Sequence, residues 1–451
     1  MRKQDKKELR RQLACEWLYE NYLQYDRLRH DIVTDRLQIR TADLDSLEDA
    51  SLQSKGERQD IWRNLTDKDI NTMVCQCVND LEANITFNEM WTALKSDMVP
   101  AVHPIRAWLN ELAPWTSDEP DWIDMVAQQV TVKPSPLSNS LKNAASGYSL
   151  EFKGMEFWRA CFKKWFVAMV ASWMKDEVVN HTVLVLVGRQ GIFKTTWLDH
   201  LIPPELRAYS SKLPLSGQIT KDDRLRLCEN GMLNIDELDA ICGREMNIVK
   251  SLLTSTDINE RAAYGRLKER RVRLASFCAS TNNREFLTDI TGNRRWLPFE
   301  VESIQDPFYT LIPYERLYAQ AKALVECGYF NYWFELDEIE VLEKHNEDFR
   351  AKDNEEQLLP ILFDIPAEGK GEFMTTAEIS DKLVSMGGIK KPMSTRRLGV
   401  LMGKMGSQKT QVYMSGCYVR GWIVYKREYD EITIAKRLNQ DNASMQQCDI
   451  Y

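Results

Sequence analysis

The sequence predicts an α/β protein whose central part is built on a parallel β-sheet. Three observations support this fold class. Residues 182–187 form an apolar run typical of a buried strand, and a glycine-containing loop and helix-compatible sequence follow directly. Two later apolar runs, residues 232–235 and 272–279, each end in polar residues. Strands that alternate with helices in this way are typical of a doubly wound sheet with its functional loops at one edge.

The composition is that of a folded protein with more than one domain. A chain of 451 residues exceeds the length that one hydrophobic core usually supports, so two or three domains are expected. Hydrophobic residues make up 43% and charged residues 28%, which is far from the composition of disordered chains. The net charge of −8 excludes a basic surface over the whole molecule, so any contact with DNA must be local.

Cysteine usage and the chain start indicate an intracellular environment. The ten cysteines are scattered and lack the spacing of zinc ligands or of a redox dithiol, which predicts reduced thiols. The charged first residues lack the apolar stretch of a signal peptide, and no later segment has transmembrane length. We therefore expect a cytoplasmic protein with no membrane partner.

Apolar spacing and composition divide the chain into segments. Residues 1–130 are predicted as a mainly helical N-terminal domain, within which residues 31–40 alternate as in a short strand or hairpin. Residues 131–150 are rich in Pro, Ser, Asn and Gly, which is typical of a linker. The remaining segments are an α/β domain at 151–335, a charged helical connector at 336–366, a winged-helix-like domain at 367–430 and a polar tail at 431–451.

The winged-helix-like assignment depends on capping residues and a hairpin pattern. Thr375 and Thr376 can cap a helix that runs through Met386, and Ser394 can cap a second helix through Lys404. Residues 411–426 have the pattern of a two-stranded wing. Helix, helix and wing in this order predict a small winged-helix-like unit.

The loop after the first strand has the pattern of a phosphate-binding loop, or P-loop. Gly188 and Gly191 permit a backbone whose N–H groups point at phosphate oxygens, and the positive end of the following helix adds to the attraction. Lys194 would bridge the β- and γ-phosphates of ATP, and the Thr195 hydroxyl would bind Mg²⁺. The predicted nucleotide-binding residues are Gly188, Gln190, Gly191, Ile192, Phe193, Lys194, Thr195 and Thr196.

One position departs from the usual P-loop spacing. Phe193 stands immediately before Lys194, where a glycine is expected. Phe193 retains its backbone N–H, but its side chain narrows the allowed dihedral angles and would weaken or reshape phosphate binding.

Two strand ends supply the remaining groups of an ATP site. Asp236 and Glu237 follow the strand at 232–235, where Asp236 would hold Mg²⁺ and Glu237 would polarise the attacking water. Asn282 follows the strand at 272–279 and is the candidate for orienting that water beside the γ-phosphate. Taken alone, Asn282 would be an ordinary turn residue.

Two arginines precede another predicted strand. Arg294 or Arg295 would stabilise the γ-phosphate of a neighbouring subunit, because the guanidinium stays charged and offers a rigid planar fork. The sequence does not distinguish between the two, and either side chain would also serve as a local salt-bridge partner.

Two basic segments are the candidates for DNA contact. Residues 260–273 are the densest basic stretch, and a hairpin here would present cations to phosphates and an aromatic ring to a base. An equally supported alternative is that these arginines serve the nucleotide or a subunit interface. The second segment surrounds the second helix of the winged-helix-like unit, although such units also bind proteins. The predicted DNA-binding residues are Tyr264, Arg266, Lys268, Arg270, Arg271, Arg396 and Arg397.

These motifs together resemble the virulence-associated protein E family of phage and mobile-element proteins. The resemblance rests on the loop at 188–195, on Asp236 with Glu237, on residues 277–282 and especially on residues 291–298, and it covers roughly residues 100–350. It implies a core related to superfamily 3 helicases of the AAA+ class. It also implies ATP-dependent unwinding of DNA, commonly by a hexameric ring of identical subunits. Residues 1–130 contain no primase-like carboxylate cluster, so priming would fall to a separate primase.

Two functions remain open at this point. The first is an ATP-dependent DNA helicase or replication ATPase of a phage or mobile element, which hydrolyses ATP between subunits of a ring and translocates on DNA. The alternative is a nucleotide-gated DNA-binding initiator or regulator with little turnover, which would give Phe193 a meaning. A signalling ATPase is a third class, for which no attached effector motif is visible.

Overall fold

The computed structural model divides the chain into two compact units. The first comprises Met1–Arg284 with Arg294–His345, and the second comprises Glu285–Asn293 with Asn346–Tyr451. The structure describes residues 3–40, 62–134, 155–213, 220–236, 238, 243–260, 269–289, 293–352, 354–364, 371–387, 393–414 and 416–427.

The first hundred residues pack three helices on a small sheet. The helices are α1 (Lys3–Asn21), α2 (Asp67–Leu81) and α3 (Phe87–Leu94), and the strands are β1 (Leu28–Asp31), β2 (Arg36–Arg40), β3 (Trp62–Asn64) and β4 (Ala101–Val102). The predicted hairpin is confirmed, since β1 and β2 pair antiparallel with Asp31 opposite Arg36. Apolar residues of α1, α2 and α3 form a separate core that includes Trp17, Leu18 and Met73. The N-terminal region is thus mainly helical but contains a sheet.

The central part of the first unit is an α/β sandwich. Its helices are α4 (Pro104–Glu111), α5 (Trp122–Ala127), α6 (Met155–Met174), α7 (Lys194–His200), α8 (Lys221–Glu229), α9 (Gly243–Thr254), α10 (Tyr314–Glu326) and α11 (Leu336–Asn346). Its strands are β5 (Val130–Val132), β6 (Val183–Val187), β7 (Ser210–Lys212), β8 (Met232–Ile235), β9 (Asp257–Glu260), β10 (Glu269–Val272), β11 (Ser276–Thr281) and β12 (Trp296–Ile304).

Six of these strands form one sheet in the order β5-β12-β6-β11-β8-β7. The five strands from β12 to β7 are parallel, and β5 joins the β12 edge antiparallel. The strand that precedes the glycine loop, β6, therefore lies inside the sheet, between β11 and β12. Every residue of β6, β8 and β11 is buried, which is expected for strands covered on both faces.

The aromatic helix α6 is the centre of the hydrophobic core. Trp158, Phe162 and Trp165 are fully buried in one cluster with the sheet. Ile105 and Leu109 of α4, and residues of α5 and β5, belong to the same cluster. The sequence had assigned residues 105–130 to an N-terminal domain, but their apolar side chains are buried against α6 and the sheet. The sequence near residues 105–130 does not indicate this packing, because the aromatic helix α6 that covers them lies later in the chain.

The predicted strand at 272–279 is interrupted in the structure. β10 ends at Val272 and β11 begins at Ser276, because the side chain of Arg273 turns inward between them. This guanidinium is fully buried and donates to the carbonyl oxygens of Leu252, Leu253 and Asn180 at 3.1, 2.8 and 2.8 Å. It thereby satisfies carbonyls at the carboxyl end of α9. β10 instead pairs antiparallel with β9, which confirms the two strands of the predicted basic hairpin.

The described residues of the second unit form three α-helices and four strands, two of which make a hairpin. Its elements are α12 (Asn354–Leu362), β13 (Phe363–Asp364), β14 (Glu372–Thr375), α13 (Thr376–Gly387), α14 (Thr395–Lys404), β15 (Lys409–Met414) and β16 (Cys417–Lys426). Ser394 caps α14 as predicted, since its Oγ accepts from the Arg397 N–H at 3.3 Å. β16 pairs antiparallel with β13, β14 and β15. The predicted helices and hairpin are present, and the winged-helix assignment of the unit stays a prediction.

Candidate active site

The candidate site lies at the carboxyl edge of three adjacent parallel strands. The loop of residues 188–193 leaves β6, Asp236 follows β8, and Asn282 follows β11. Carboxyl ends of parallel strands meet at one edge of a sheet, so these groups become neighbours although they are distant in sequence. The helix that follows the loop, α7, is anchored by the buried Trp197, whose indole N–H donates to Gln129 Oε1 at 2.9 Å.

The glycines of the loop occupy positions that a side chain would disturb. The Gly188 N–H donates to the Thr281 carbonyl at 3.1 Å, which ties the loop to the end of β11. A Cβ at Gly188 would lie 3.0 Å from the Val301 carbonyl oxygen. Gly191 has a φ of 86°, in the region that favours glycine. The eight predicted nucleotide-binding residues all lie in this loop and in the first turn of α7.

Phe193 adopts a left-handed backbone conformation. Its φ and ψ are 66° and 16°, which is uncommon for a non-glycine residue and accounts for the glycine usually found here. Its ring is partly exposed and packs edge-on against Phe308, with ring centroids 6.4 Å apart. The departure seen in the sequence thus changes the side chain but keeps a glycine-like backbone.

The Lys194 ammonium is held by oxygen atoms at the mouth of the loop. It donates to the carbonyls of Gly188 and Arg189, both at 2.7 Å, and to Asn282 Oδ1 at 3.0 Å. The residue is buried, so its charge depends on these acceptors rather than on water. The contact between Lys194 and Asn282 joins the first and third predicted motifs.

Thr195 and Asp236 form the second contact between motifs. Thr195 Oγ1 donates to Asp236 Oδ1 at 3.0 Å, and Ser280 Oγ donates to the same oxygen at 3.0 Å. Lys212 forms a salt bridge with Asp236 Oδ2 at 2.8 Å. Burial alone would raise the pKa of Asp236, but the hydrogen bonds from Lys212, Thr195 and Ser280 outweigh it and lower the pKa. Asp236 is therefore an anion at neutral pH.

Two of these residues escaped the sequence analysis. Ser280 lies in the polar strand end that contains Asn282, so its position was visible but its partner was not. Lys212 ends β7, which pairs with β8, and no local motif marks it. Only the order of strands brings its ammonium to Asp236. Glu237, the predicted water-polarising residue, lies outside the described residues.

The two candidate arginines lie at the opposite edge of the sheet. The Arg295 carbonyl accepts from the Val183 N–H at 2.8 Å, which places Arg295 level with the start of β6. The five residues of β6 separate that level from the loop by about 16 Å. Neither arginine has a carboxylate partner among the described residues. Both line a cavity of about 400 Å³ at this amino edge.

The predicted DNA-binding residues are placed only in part. Tyr264, Arg266 and Lys268 lie outside the described residues. Arg270 is exposed on β10 and pairs with Asp257, whereas Arg271 is largely buried. The Arg271 guanidinium contacts Glu229 at 3.2 Å and also donates to the Val33 carbonyl.

The contacts of Arg271 correspond to neither of the two roles left open for it. Its guanidinium contacts Glu229 and the Val33 carbonyl of its own chain, rather than being held free for DNA, a nucleotide or another subunit. Arg396 and Arg397 lie in the first turn of α14, with Arg396 exposed.

Metal-binding clusters and membrane-spanning helices are both absent from the described residues. Across the described ranges, no group of three or more His, Cys, Asp or Glu residues is arranged to hold a metal ion. Within the same ranges, no helix combines the length and apolar character needed to span a bilayer.

Comparison with known proteins supports one family. No curated protein matches the sequence. Three solved structures of the apo NrS-1 C-terminal region are similar at 12% identity, with TM-scores of 0.41, 0.39 and 0.40. Each comparison covers 91% of this chain and 99% of the other. Residues 137–351, which contain the loop, Asp236, Asn282 and both arginines, match the model of the virulence-associated protein E-like domain. The central part of the chain, residues 137–351, is thus a virulence-associated protein E-like domain.

Proposed function

We propose that this protein is a P-loop ATPase that hydrolyses ATP between neighbouring copies and acts on DNA during replication of a phage or mobile genetic element. One observation carries the proposal. A buried lysine and the adjacent threonine meet an amide and a carboxylate from two other segments at the carboxyl edge of a parallel sheet, with Lys194 bonded to Asn282 and Thr195 to Asp236. This is the set of groups that phosphate binding and metal-assisted hydrolysis require.

Each group has a role that its contacts support. The Lys194 ammonium donates to the neutral oxygens of Gly188, Arg189 and Asn282, and charged phosphate oxygens would be stronger acceptors than these. Asn282, already within hydrogen-bond distance of Lys194, would orient the attacking water. Glu237 follows Asp236 directly in the sequence and remains the candidate for polarising that water.

The donor set also fits Mg²⁺. Magnesium in nucleotide sites is typically held by one or two protein oxygens together with substrate phosphates, rather than by an all-protein cage. Thr195 Oγ1 and Asp236 Oδ1 lie 3.0 Å apart, and Asp236 is ionised. These two residues would hold the ion, which would supply charge neutralisation at the phosphates. Lys212 would have to release Asp236 Oδ2 or share it.

The position of Arg294 and Arg295 supports hydrolysis between copies. An extended arginine side chain cannot cross the roughly 16 Å of sheet that separates it from its own loop. A second copy whose loop faces this edge would receive the guanidinium at its γ-phosphate. Arg294 is the more exposed of the two and is our candidate for that contact.

Basic surfaces support contact with DNA. Arg270 is exposed on β10, close in sequence to the predicted DNA-binding residues Tyr264, Arg266 and Lys268, and Arg396 is exposed on α14. In a ring, the hairpin would face the pore and contact phosphates. A hexamer, as the family resemblance implies, and a separate primase complete the proposal.

A second candidate function has one observation in its favour. Phe193 holds the left-handed conformation of a glycine, with a ring beside the lysine. This ring restricts adjustment of the loop and favours a protein that binds ATP, assembles on DNA and turns over slowly. Such a protein would be a nucleotide-gated initiator or regulator.

ATP hydrolysis with single-stranded and forked DNA tests the proposal. The wild type is compared with Lys194→Ala, and Lys175→Ala, outside the site, serves as the matched control. We expect DNA-stimulated turnover that only Lys194→Ala abolishes. Wild-type turnover in Lys194→Ala would refute the ATPase proposal, and ATP binding without turnover on any DNA would favour the initiator.

Mixing two inactive variants tests whether the site is shared between copies. Lys194→Ala lacks its own phosphate contact, and the double variant Arg294→Ala with Arg295→Ala lacks the contact to a neighbour. A mixture would regain part of the activity, because an intact loop of one variant meets intact arginines of the other. No recovery in mixtures that do form oligomers would argue against hydrolysis in trans.

A further inference from the structure

A rigid turn next to the candidate site exposes three large apolar side chains. Phe308, Tyr309 and Leu311 are 68%, 87% and 89% exposed. The turn is held by Asp306, whose carboxylate accepts from the Phe308 N–H at 2.9 Å and whose carbonyl accepts from the N–H groups of Tyr309 and Thr310 at 3.1 and 2.9 Å. A hydrogen-bonded turn that keeps contiguous apolar side chains in water marks a contact surface.

The turn lies against the phosphate-binding loop. The Phe308 ring packs edge-on against Phe193 at 6.4 Å and against His200 at 5.5 Å between ring centroids. The ring therefore spans α7 from its first residues to its last. Any molecule that covers Tyr309 and Leu311 must lie beside the loop.

The opposite edge of the sheet carries a cavity of matching character. This cavity of about 400 Å³ is lined mainly by apolar and aromatic side chains, including Val178, Tyr332, Trp333, Phe334 and Ile339. Trp333 is 54% exposed at its wall. An apolar cavity of roughly 150 Å³ already admits a benzene ring, so this one has room for an aromatic side chain.

The turn and the cavity each lie next to one of the two parts from which the proposed shared ATP site would be built. The turn lies next to the phosphate-binding loop, and the cavity is lined by Arg294 and Arg295. When the arginines of one copy approach the loop of another, the turn of the second copy approaches the cavity of the first. The carboxylate of Glu302, which is exposed on β12 shortly before the turn, carries charge complementary to Arg294 and Arg295.

We propose that the turn of residues 306–311 inserts Tyr309 into the cavity beside Arg294 and Arg295 of a second copy of this chain. The inference rests on the proposed sharing of the ATP site between copies. The two surfaces differ, so the contact is head-to-tail and propagates into a ring or a filament rather than closing as a two-fold dimer. Burial and repulsion by Arg294 lower the pKa of Arg295, and an anionic group placed beside the two arginines would offset this repulsion.

The first experiment measures self-association of the full chain by light scattering, with Mg²⁺ and a non-hydrolysable ATP analogue. Tyr309→Ala removes the inserted ring, and Tyr19→Ala, an exposed tyrosine on α1, is the matched control. We expect Tyr309→Ala to raise the concentration for half-assembly about tenfold or more, as for a central interface residue, and Tyr19→Ala to leave it unchanged. Wild-type assembly in Tyr309→Ala, or a wild type that stays monomeric at every concentration, would overturn the inference.

The second experiment traps the contact with disulfides. Tyr309→Cys and Trp333→Cys chains are oxidised separately and as a mixture, with the wild type as the background for the native cysteines. The inference predicts a new cross-linked dimer only in the mixture. Dimers from Tyr309→Cys alone would instead indicate a two-fold contact and refute it.

Nucleotide binding, followed by anisotropy of a fluorescent ATP analogue in the same samples, separates the two proposals. Tyr309→Ala should bind the analogue like the wild type below the assembly concentration, because its ring makes no contact with the loop. Equal binding of the analogue by the wild type and by Lys194→Ala would refute the proposed nucleotide site. The cross-linking pattern would still show whether Tyr309 contacts the cavity of a second copy.

Discussion

Replacing Phe193 by glycine and, separately, by alanine tests the left-handed backbone conformation at this position of the candidate phosphate-binding loop. Both variants lose the ring and its contact with Phe308, so this loss cancels when the two are compared. Alanine keeps a Cβ at a φ of 66°, which costs a non-glycine residue about 1–2 kcal/mol. Glycine avoids this strain but loses about 0.4–1 kcal/mol through the greater freedom of its unfolded chain. Glycine should therefore be the more stable variant by about 1 kcal/mol.

Urea unfolding followed by tryptophan fluorescence measures this difference. Trp158, Trp165, Trp173 and Trp197 are all fully buried in the unit that contains the loop, so the signal reports on its unfolding. With a slope near 3 kcal/mol per molar urea, the glycine variant should unfold at about 0.3 M more urea than the alanine variant. Equal midpoints, or a more stable alanine variant, would refute the left-handed assignment.

The same pair of variants addresses the role of Phe193 in turnover. The glycine variant restores the usual P-loop spacing without changing the backbone that the structure shows. If restriction by the side chain slows hydrolysis, Phe193→Gly should exceed both the wild type and Phe193→Ala in ATP turnover. Unchanged turnover in Phe193→Gly would show that the residue does not limit hydrolysis.

Three further predictions concern a buried imidazole, a buried guanidinium and an exposed arginine. Burial, only partly offset by a hydrogen bond to the Pro298 carbonyl, lowers the pKa of His345 to about 4, whereas an unfolded histidine titrates near 6.5. The unfolded chain thus binds the proton more readily than the folded chain. Neutral His345 therefore contributes stability that is fully present above about pH 6.5 and is lost as the pH falls toward 4, by up to roughly 3 kcal/mol. His345→Gln should flatten the pH dependence of the urea midpoint between these pH values. An unchanged slope of midpoint against pH would contradict this prediction. Arg273→Ala leaves buried carbonyls without a donor and should lower the free energy of unfolding by about 3 kcal/mol or more. A loss under about 1 kcal/mol, measured by urea unfolding, would contradict the stabilising role of these buried hydrogen bonds. Arg396→Ala should weaken binding to single-stranded DNA and reduce its salt slope by about one unit, unlike Lys352→Ala, and identical salt titrations would exclude this contact.

Local sequence was sufficient for the motifs of the candidate site. Strand, glycine loop and helix are contiguous, so residues 183–200 could be predicted as one unit. Asp236 and Asn282 were predicted because each ends an apolar strand, and parallel strands place such ends at one edge. Their contacts with Thr195 and Lys194 confirm that expectation. Periodicity also predicted the hairpin at 31–40, while capping residues predicted α13 and α14.

Strand order and long-range packing determined which partners the charged side chains contact. Lys212 reaches Asp236 because β7 pairs with β8, and no pattern near Lys212 signals that partner. Arg271 belongs to a basic run, yet its contacts with Glu229 and the Val33 carbonyl draw it into the protein.

The sequence by itself therefore determined which groups make up the candidate site, because those groups belong to contiguous strand–loop segments with local conformational rules. The tertiary structure alone decided which charges remain available and which surfaces remain exposed. It separated Arg295 from the loop across the full length of β6 and brought Phe308 against Phe193. Charge pairing and burial depend on residues that are distant in the chain, and only the folded packing brings them together.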